Sequence, residues 1–188
     1  MKKSRRLIRN TILTLGGVMV LYVGVNRLYA VDESAKPFQG TSAAELALLR
    51  DFSVIEASGD LSVEVVQQAD YSVTYTPAGE PQRLVAIKRD NTLVLHAVSR
   101  LPPTHVKVGM PSLAMLVAHE TPALTISGFD GATLSLRLTG KPQVKLQNNS
   151  VRLWRVFASD SSELIFDKAS LDAGKLDLAG RATVTVVE

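Results

Sequence analysis

Three histidines, His96, His105 and His119, are the first residues to test for chemistry. Metal sites draw on His, Cys, Asp and Glu gathered at short spacing. None of the three has a second histidine or a carboxylate at ligand spacing on one helix. They read as strand or turn residues. Asp160 and Glu163 lie close together at one turn, with Lys141 upstream. A carboxylate pair is the machinery of glycoside hydrolysis, and β-helical surfaces are known to carry such pairs. Here the acids alternate with apolar positions, as they do on a solvated strand face.

Trp154 is the only tryptophan. It could stack on a sugar, but its parity with Val156 and Leu134 favours packing in the core. Asn148-Asn149 suits either the start of an asparagine ladder or a left-handed turn, and the turn is the simpler reading. Arg152 and Arg155 are the nearest approach to a basic stripe, too diluted by acids to bind nucleic acid. No Gly-x-Ser-x-Gly elbow, phosphate loop or dinucleotide glycine pattern occurs. There are no cysteines, which excludes disulfides, thiolate metal sites and cysteine nucleophiles. The sequence therefore predicts no catalytic residues, no metal and no cofactor, and it assigns no binding residues.

The elements that would have to position a site begin after a leader. The chain has 188 residues and a net charge of +3. Lys2, Lys3, Arg5, Arg6 and Arg9 precede an uncharged run from Thr11 to Val25, and Leu28-Tyr29-Ala30 follows. This is the layout of a secretory signal. An uncleaved anchor remains the alternative, with residues 10–30 in the membrane, since spanning takes roughly 17–25 residues. Either way the basic end stays in the cytoplasm and the remainder is exported. That predicts a periplasmic domain, free or anchored to the inner membrane. Residues 1–30 hold six basic residues and no acid, which leaves 15 basic and 18 acidic residues for 31–188. The basic excess belongs to the leader.

Residues 31–51 read as a linker. Within it Ser42-Ala-Ala-Glu45 has the spacing of a capping box, which predicts a short helix over 43–50. From Phe52 onward apolar residues alternate. Strands are expected around 52–57, 61–66, 71–76, 84–88, 92–97 and 105–108, with turns at Ser58-Gly59-Asp60, Pro77-Ala78-Gly79 and Arg89-Asp90-Asn91.

The second half repeats. Glu120, Gly140, Asp160 and Gly180 are spaced by 20 residues. Four before each stand Leu116, Leu136, Val156 and Leu176, and four after each stand Leu124, Val144, Leu164 and Val184. The positions two before and six after are apolar too. A fixed period near 20 predicts an all-β solenoid, with two short strands per rung and a continuous core of ladders such as Leu116/Leu136/Val156/Leu176. Glycine at the anchor suits a turn at positive φ.

Phe52-x-x-Ile55-x-x-Ser58-Gly59-x-x-x-Val63-x-Val65 resembles the opening motif of the bacterial head GIN domains. Leu124-Thr-Ile-Ser-Gly128, Leu136-Arg-Leu-Thr-Gly140 and Leu176-Asp-Leu-Ala-Gly180 resemble that family's recurring strand followed by Ser-Gly. The resemblance covers 52–188. It implies a right-handed parallel β-helix-like solenoid, reached in exported and often anchored proteins, and an adhesin-like role without catalytic residues. Ser159-Asp160 departs from the usual Ser-Gly.

The expected function is a non-catalytic envelope protein, a binding, adhesion or scaffold module. A carbohydrate-active β-helix enzyme is the alternative, which clustered Asp, Lys and Arg on successive rungs would favour. One partner surface is expected from the pattern: an uncapped last strand, Val184–Glu188, which invites strand addition from a second copy or another envelope protein.

Overall fold

The computed structural model describes residues 41–76, 84–97, 103–121, 123–172 and 174–188. The leader, the expected hydrophobic helix, the start of the linker and the turn at 77–79 lie outside the described residues. Among the described residues no helix is long and apolar enough to cross a membrane.

The capping box forms as its spacing requires. The Ser42 hydroxyl accepts from the Glu45 N–H at 3.3 Å, and the Glu45 carboxylate accepts from the Ser42 N–H at 2.7 Å. The helix it opens, α1 (Ala43–Leu46), is one turn long and buries Leu46. A helix this short cannot hold itself in water. It stands because Leu46 joins the core and because Thr41, just before it, is tied to a strand.

The rest is mostly strand. The first half supplies β1 (Val54–Gly59), β2 (Leu61–Gln67), β3 (Ser72–Thr76), β4 (Leu84–Arg89), β5 (Thr92–Ala97) and β6 (Thr104–Met110). The second half supplies β7 (Met115–His119), β8 (Ala123–Ser127), β9 (Asp130–Gly131), β10 (Leu134–Thr139), β11 (Gln143–Gln147), β12 (Ser150–Val151), β13 (Leu153–Asp167), helix α2 (Lys168–Asp172) and β14 (Lys175–Val187). Twelve of these strands form one curled sheet, and β9 pairs with β12 in a second.

The large sheet has two ladders facing one core. The first runs β4-β5-β1-β7-β10, then the leading part of β13 and of β14. The second runs β3-β6-β2-β8-β11, then the trailing parts of β13 and β14. β13 is long enough to belong to both. Ile55, Leu95, Leu116, Leu136 and Val156 point inward from the first ladder; Val63, Val108, Leu124, Val144 and Leu164 meet them from the second. All are at most 1% exposed. Each such side chain contributes about 1.5–3 kcal/mol by leaving water.

The twenty-residue frame is visible in the register. Leu116 pairs beside Leu136 and Leu136 beside Val156; Leu124 pairs beside Val144 and Val144 beside Leu164. The anchors are corners at positive φ: Gly59 83°, Glu120 53°, Gly140 91°, Asp160 67° and Gly180 99°. A Cβ at Gly59 would collide with the Ala97 carbonyl, and one at Gly180 with the Ala158 carbonyl. At those two corners glycine is required by space as well as by conformation.

Two expectations need correction. The sheet is mixed, not purely parallel, because β4 pairs antiparallel with β5 and β3 antiparallel with β6. A two-residue link, Asp90-Asn91, joins β4 to β5, and a link that short permits only an antiparallel pair. The last ladder step also slips. Leu176 lies beside Trp154 and Leu178 beside Val156, so Gly180 faces Ala158 instead of Asp160. Helix α2 is the cause. The return from Phe166 to Leu176 carries two more residues than the return from Leu146 to Trp154. β13 then absorbs the difference at its corner, with three residues between Ala158 and Ser162 against only Arg181 in β14.

Candidate functional site

With the apolar residues turned inward, function is left to the outer faces, and strand alternation decides what each displays. On the second ladder the outward rows carry Ser62, Glu64, Thr74, Thr76, His105, Lys107, Thr125, Gln143, Lys145 and Glu163. Lys107 Nζ sits 3.0 Å from Glu64 Oε1, and Gln143 Nε2 donates to Glu163 Oε2 at 2.9 Å. A shallow depression of about 350 Å³ lies among Thr74, Thr76, His105 and Lys107. The face offers hydroxyls, amides and balanced charge.

The first ladder carries a different feature. Phe157 points outward from β13 and is 50% exposed. Arg137, its neighbour on β10, holds its guanidinium carbon 5.9 Å from the ring centroid. A depression of about 470 Å³ adjoins them, edged by Thr139, Ser159 and Ala179. An aromatic face beside a cation and two hydroxyls can stack on a flat or sugar-like surface while donating hydrogen bonds around it.

The residues singled out in the sequence are dispersed. His96 Nδ1 is 2.9 Å from the Ser58 hydroxyl on the first ladder, His119 flanks Ser58 from the other side, and His105 stands on the second ladder. Among the described residues no three His, Asp or Glu groups come close enough to hold a metal ion. Asp160 and Glu163 have separate structural tasks. Asp160 Oδ2 accepts from the Gly140 N–H at 3.1 Å at the corner, while Glu163 holds Gln143 on the second face. Trp154 is fully buried, edge-on to Phe166 at 5.5 Å, and its Nε1 has no partner among the described residues.

Asn148 makes the left-handed turn, with φ at 53°. Asn149 is 3% exposed and ties three passes together. Its Oδ1 accepts from the Phe129 N–H at 3.0 Å, its Nδ2 donates to the Ile126 carbonyl at 3.0 Å, and its N–H donates to Ser170 Oγ at 2.8 Å. Burial pushes the Asp167 carboxyl up, but donation by the Ser170 hydroxyl, the Asn148 N–H and the Ser170 N–H outweighs it and holds the group below its ordinary value. The Glu45 carboxyl is lowered by the backbone and hydroxyl of Ser42. Both perturbed groups serve helix caps.

Phe157 is the feature that sequence reasoning passed over. Its signal was parity: an aromatic on the outward frame, with an arginine 20 residues earlier.

The sequence pattern of the family described as "Putative auto-transporter adhesin, head GIN domain" matches residues 51–186. The chain belongs to this family. Three crystal structures are similar to this head GIN domain. A "putative lipid binding protein" from Parabacteroides distasonis has 14% identity and a TM-score of 0.48, over 72% of this chain and 69% of that one. A "putative adhesin" from the same species has 12% identity and a TM-score of 0.31, over 74% and 94%. A "putative adhesin" from Parabacteroides merdae has 11% identity and a TM-score of 0.32, over 74% and 93%. No curated protein matches the chain. Neither the family nor these neighbours carry an enzyme's name.

Proposed function

We propose that the head GIN domain is a non-catalytic binding module of the cell envelope. It is built as a right-handed β-solenoid and displayed outside the cytoplasm by residues 10–30 or released after Ala30. The observation that carries this reading is the outer surface of the first ladder, where Phe157 stands half exposed under Arg137 with Thr139 and Ser159 at its edge. Leaving a large aromatic in water has no value for folding, whereas aromatic and arginine side chains are the usual anchors of recognition surfaces. The acids that an enzyme would need to face one another are instead engaged separately, at Gly140 and at Gln143.

A photo-crosslinking residue at position 155 of the full chain, on the same outward row as Phe157 and activated in intact cells, tests the binding reading. Adducts at 155 that fall when Phe157 is replaced by Ala, with none from position 145 on the other face, are the expected result. Absence of adducts at 155 overturns it. Export is tested separately, by digestion of the domain when protease is added to spheroplasts. Protection in spheroplasts with digestion only after lysis overturns that part.

A further inference from the structure

The outermost strand on the α2 side, β14, is thirteen residues long, and no described strand pairs with its far edge. Its inward row is left half covered. Leu178 is 36% exposed and Val186 49%, where their ladder neighbours Val156 and Phe166 are fully buried. A long edge with an apolar row is a template for another strand, and the pattern of β14 specifies which one.

The row is apolar in either direction. Its inward residues are Leu176 and Leu178 before the corner, and Ala182, Val184 and Val186 after it. With Gly180 included, these six positions are disposed symmetrically about Arg181, the middle residue of the strand. Antiparallel pairing of β14 with itself across a twofold axis at Arg181 sets Leu176 opposite Val186, Leu178 opposite Val184 and Gly180 opposite Ala182. The bend at Gly180 (φ 99°) falls next to the axis, so the leading arm of one copy follows the trailing arm of the other. A shift of one residue would place inward side chains against outward ones. Each end then brings Lys175 opposite Val187 of the second copy, with no like-charge clash there. The one like-charge contact is Arg181 against its own counterpart, on the exposed outer side.

We infer that two copies of this chain join end to end through β14, antiparallel and centred on Arg181, fusing their two sheets and two cores into one. A self-complementary patch is what a twofold interface demands. Thirteen residues a side fall short of the roughly 20–30 of a standard stable interface, so the association is expected to be weak and dependent on concentration.

The chain has no cysteine, which makes single-cysteine cross-linking unambiguous. Residues directly opposite in an antiparallel pair have Cα atoms about 4.5–5.5 Å apart, within disulfide reach. In the full chain in membranes, mild oxidation is expected to link Arg181→Cys to itself at least about tenfold faster than Lys88→Cys on β4, at the other end of the stack. Adding Val186→Lys to Arg181→Cys is expected to cut that yield about tenfold, with an unchanged circular dichroism spectrum. Equal yields from positions 181 and 88, a link from 181 only to a different protein, or a yield unaffected by Val186→Lys would each overturn the inference. So would a wild-type chain that stays monomeric in detergent at about 100 μM by analytical ultracentrifugation, a concentration well above a micromolar dissociation constant. The surface around Phe157 is not required for this contact, so loss of envelope adducts and loss of self-linking are separable results.

Discussion

The two ends of the stack are finished differently. At one end the parallel ladders stop at β5 and β6, and each is followed by a short antiparallel strand, β4 or β3. Thr41 clamps β4. Its N–H donates to the Leu84 carbonyl at 2.8 Å, and its hydroxyl accepts from the Ala86 N–H at 2.9 Å. Leu46 closes over the core, and the Phe52 ring meets that of Tyr71 at 4.8 Å. At the other end β14 continues the repeat as though another pass were to follow. Stacking supplies an interior to every pass except the outermost ones. One terminus is covered with elements that break the repeat, while the other leaves its apolar row half in water.

That contrast predicts where the fold is sensitive. Leu116→Ala, in the fully buried middle of the first ladder, is expected to cost about 3–5 kcal/mol. Leu178→Ala on β14 should cost about 1 kcal/mol, in keeping with a side chain already 36% exposed. Chemical denaturation of the two variants measures the difference, and equal losses would remove the distinction between interior and edge. Gly59→Ala and Gly180→Ala pose the same problem at the two ends: a Cβ at positive φ against a carbonyl. Gly59 lies between β5 and β7 and cannot yield, so about 2–4 kcal/mol is expected there. Gly180 is on an edge that can move, and about half of that is expected. Comparison of melting temperatures checks the order.

Thr41→Val removes the hydroxyl part of the clamp on β4, leaving the backbone bond to the Leu84 carbonyl, and should cost about 1–2 kcal/mol, with faster amide exchange in β4 ahead of the central strands. The smallest effect is at Asp167, which caps α2 beside the open end. Asp167→Asn keeps a capping oxygen but loses the negative charge at the helix start, and should cost about 0.3–1 kcal/mol at neutral pH. Because the folded carboxyl is held below its ordinary value, its contribution is complete above the unfolded pKa of about 3.9 and is lost as pH falls through the folded value. The variant and the parent should therefore converge in stability under acid.

Much of the fold was legible because alternation and a constant period both record which side chains face inward. The ladders Leu116/Leu136/Val156 and Leu124/Val144/Leu164 stand in the predicted register. Strand direction was less legible, since β3 and β4 alternate in the same way whether paired parallel or antiparallel. The slip at Leu176 was hidden because α2 inserts two residues and the β13 corner removes them, so that Val184 and Val186 return to the expected frame. The candidate surface was half legible. Trp154 attracted attention by type and was correctly turned inward by parity. The same parity turns Phe157 outward, and only the structure shows Arg137 lying over it.

The order of the passes has a consequence for synthesis. β1 finds its neighbours 38 residues ahead in β5 and 61 ahead in β7, while β7, β10 and β13 succeed one another at 20. Closing a loop three times longer costs about 1 kcal/mol more. As the chain emerges, β1–β2 is the first pass made and waits longest to be flanked. Once β7 has docked on it, each later pass needs only the twenty residues just completed, so the second half can zip up at the pace of translation.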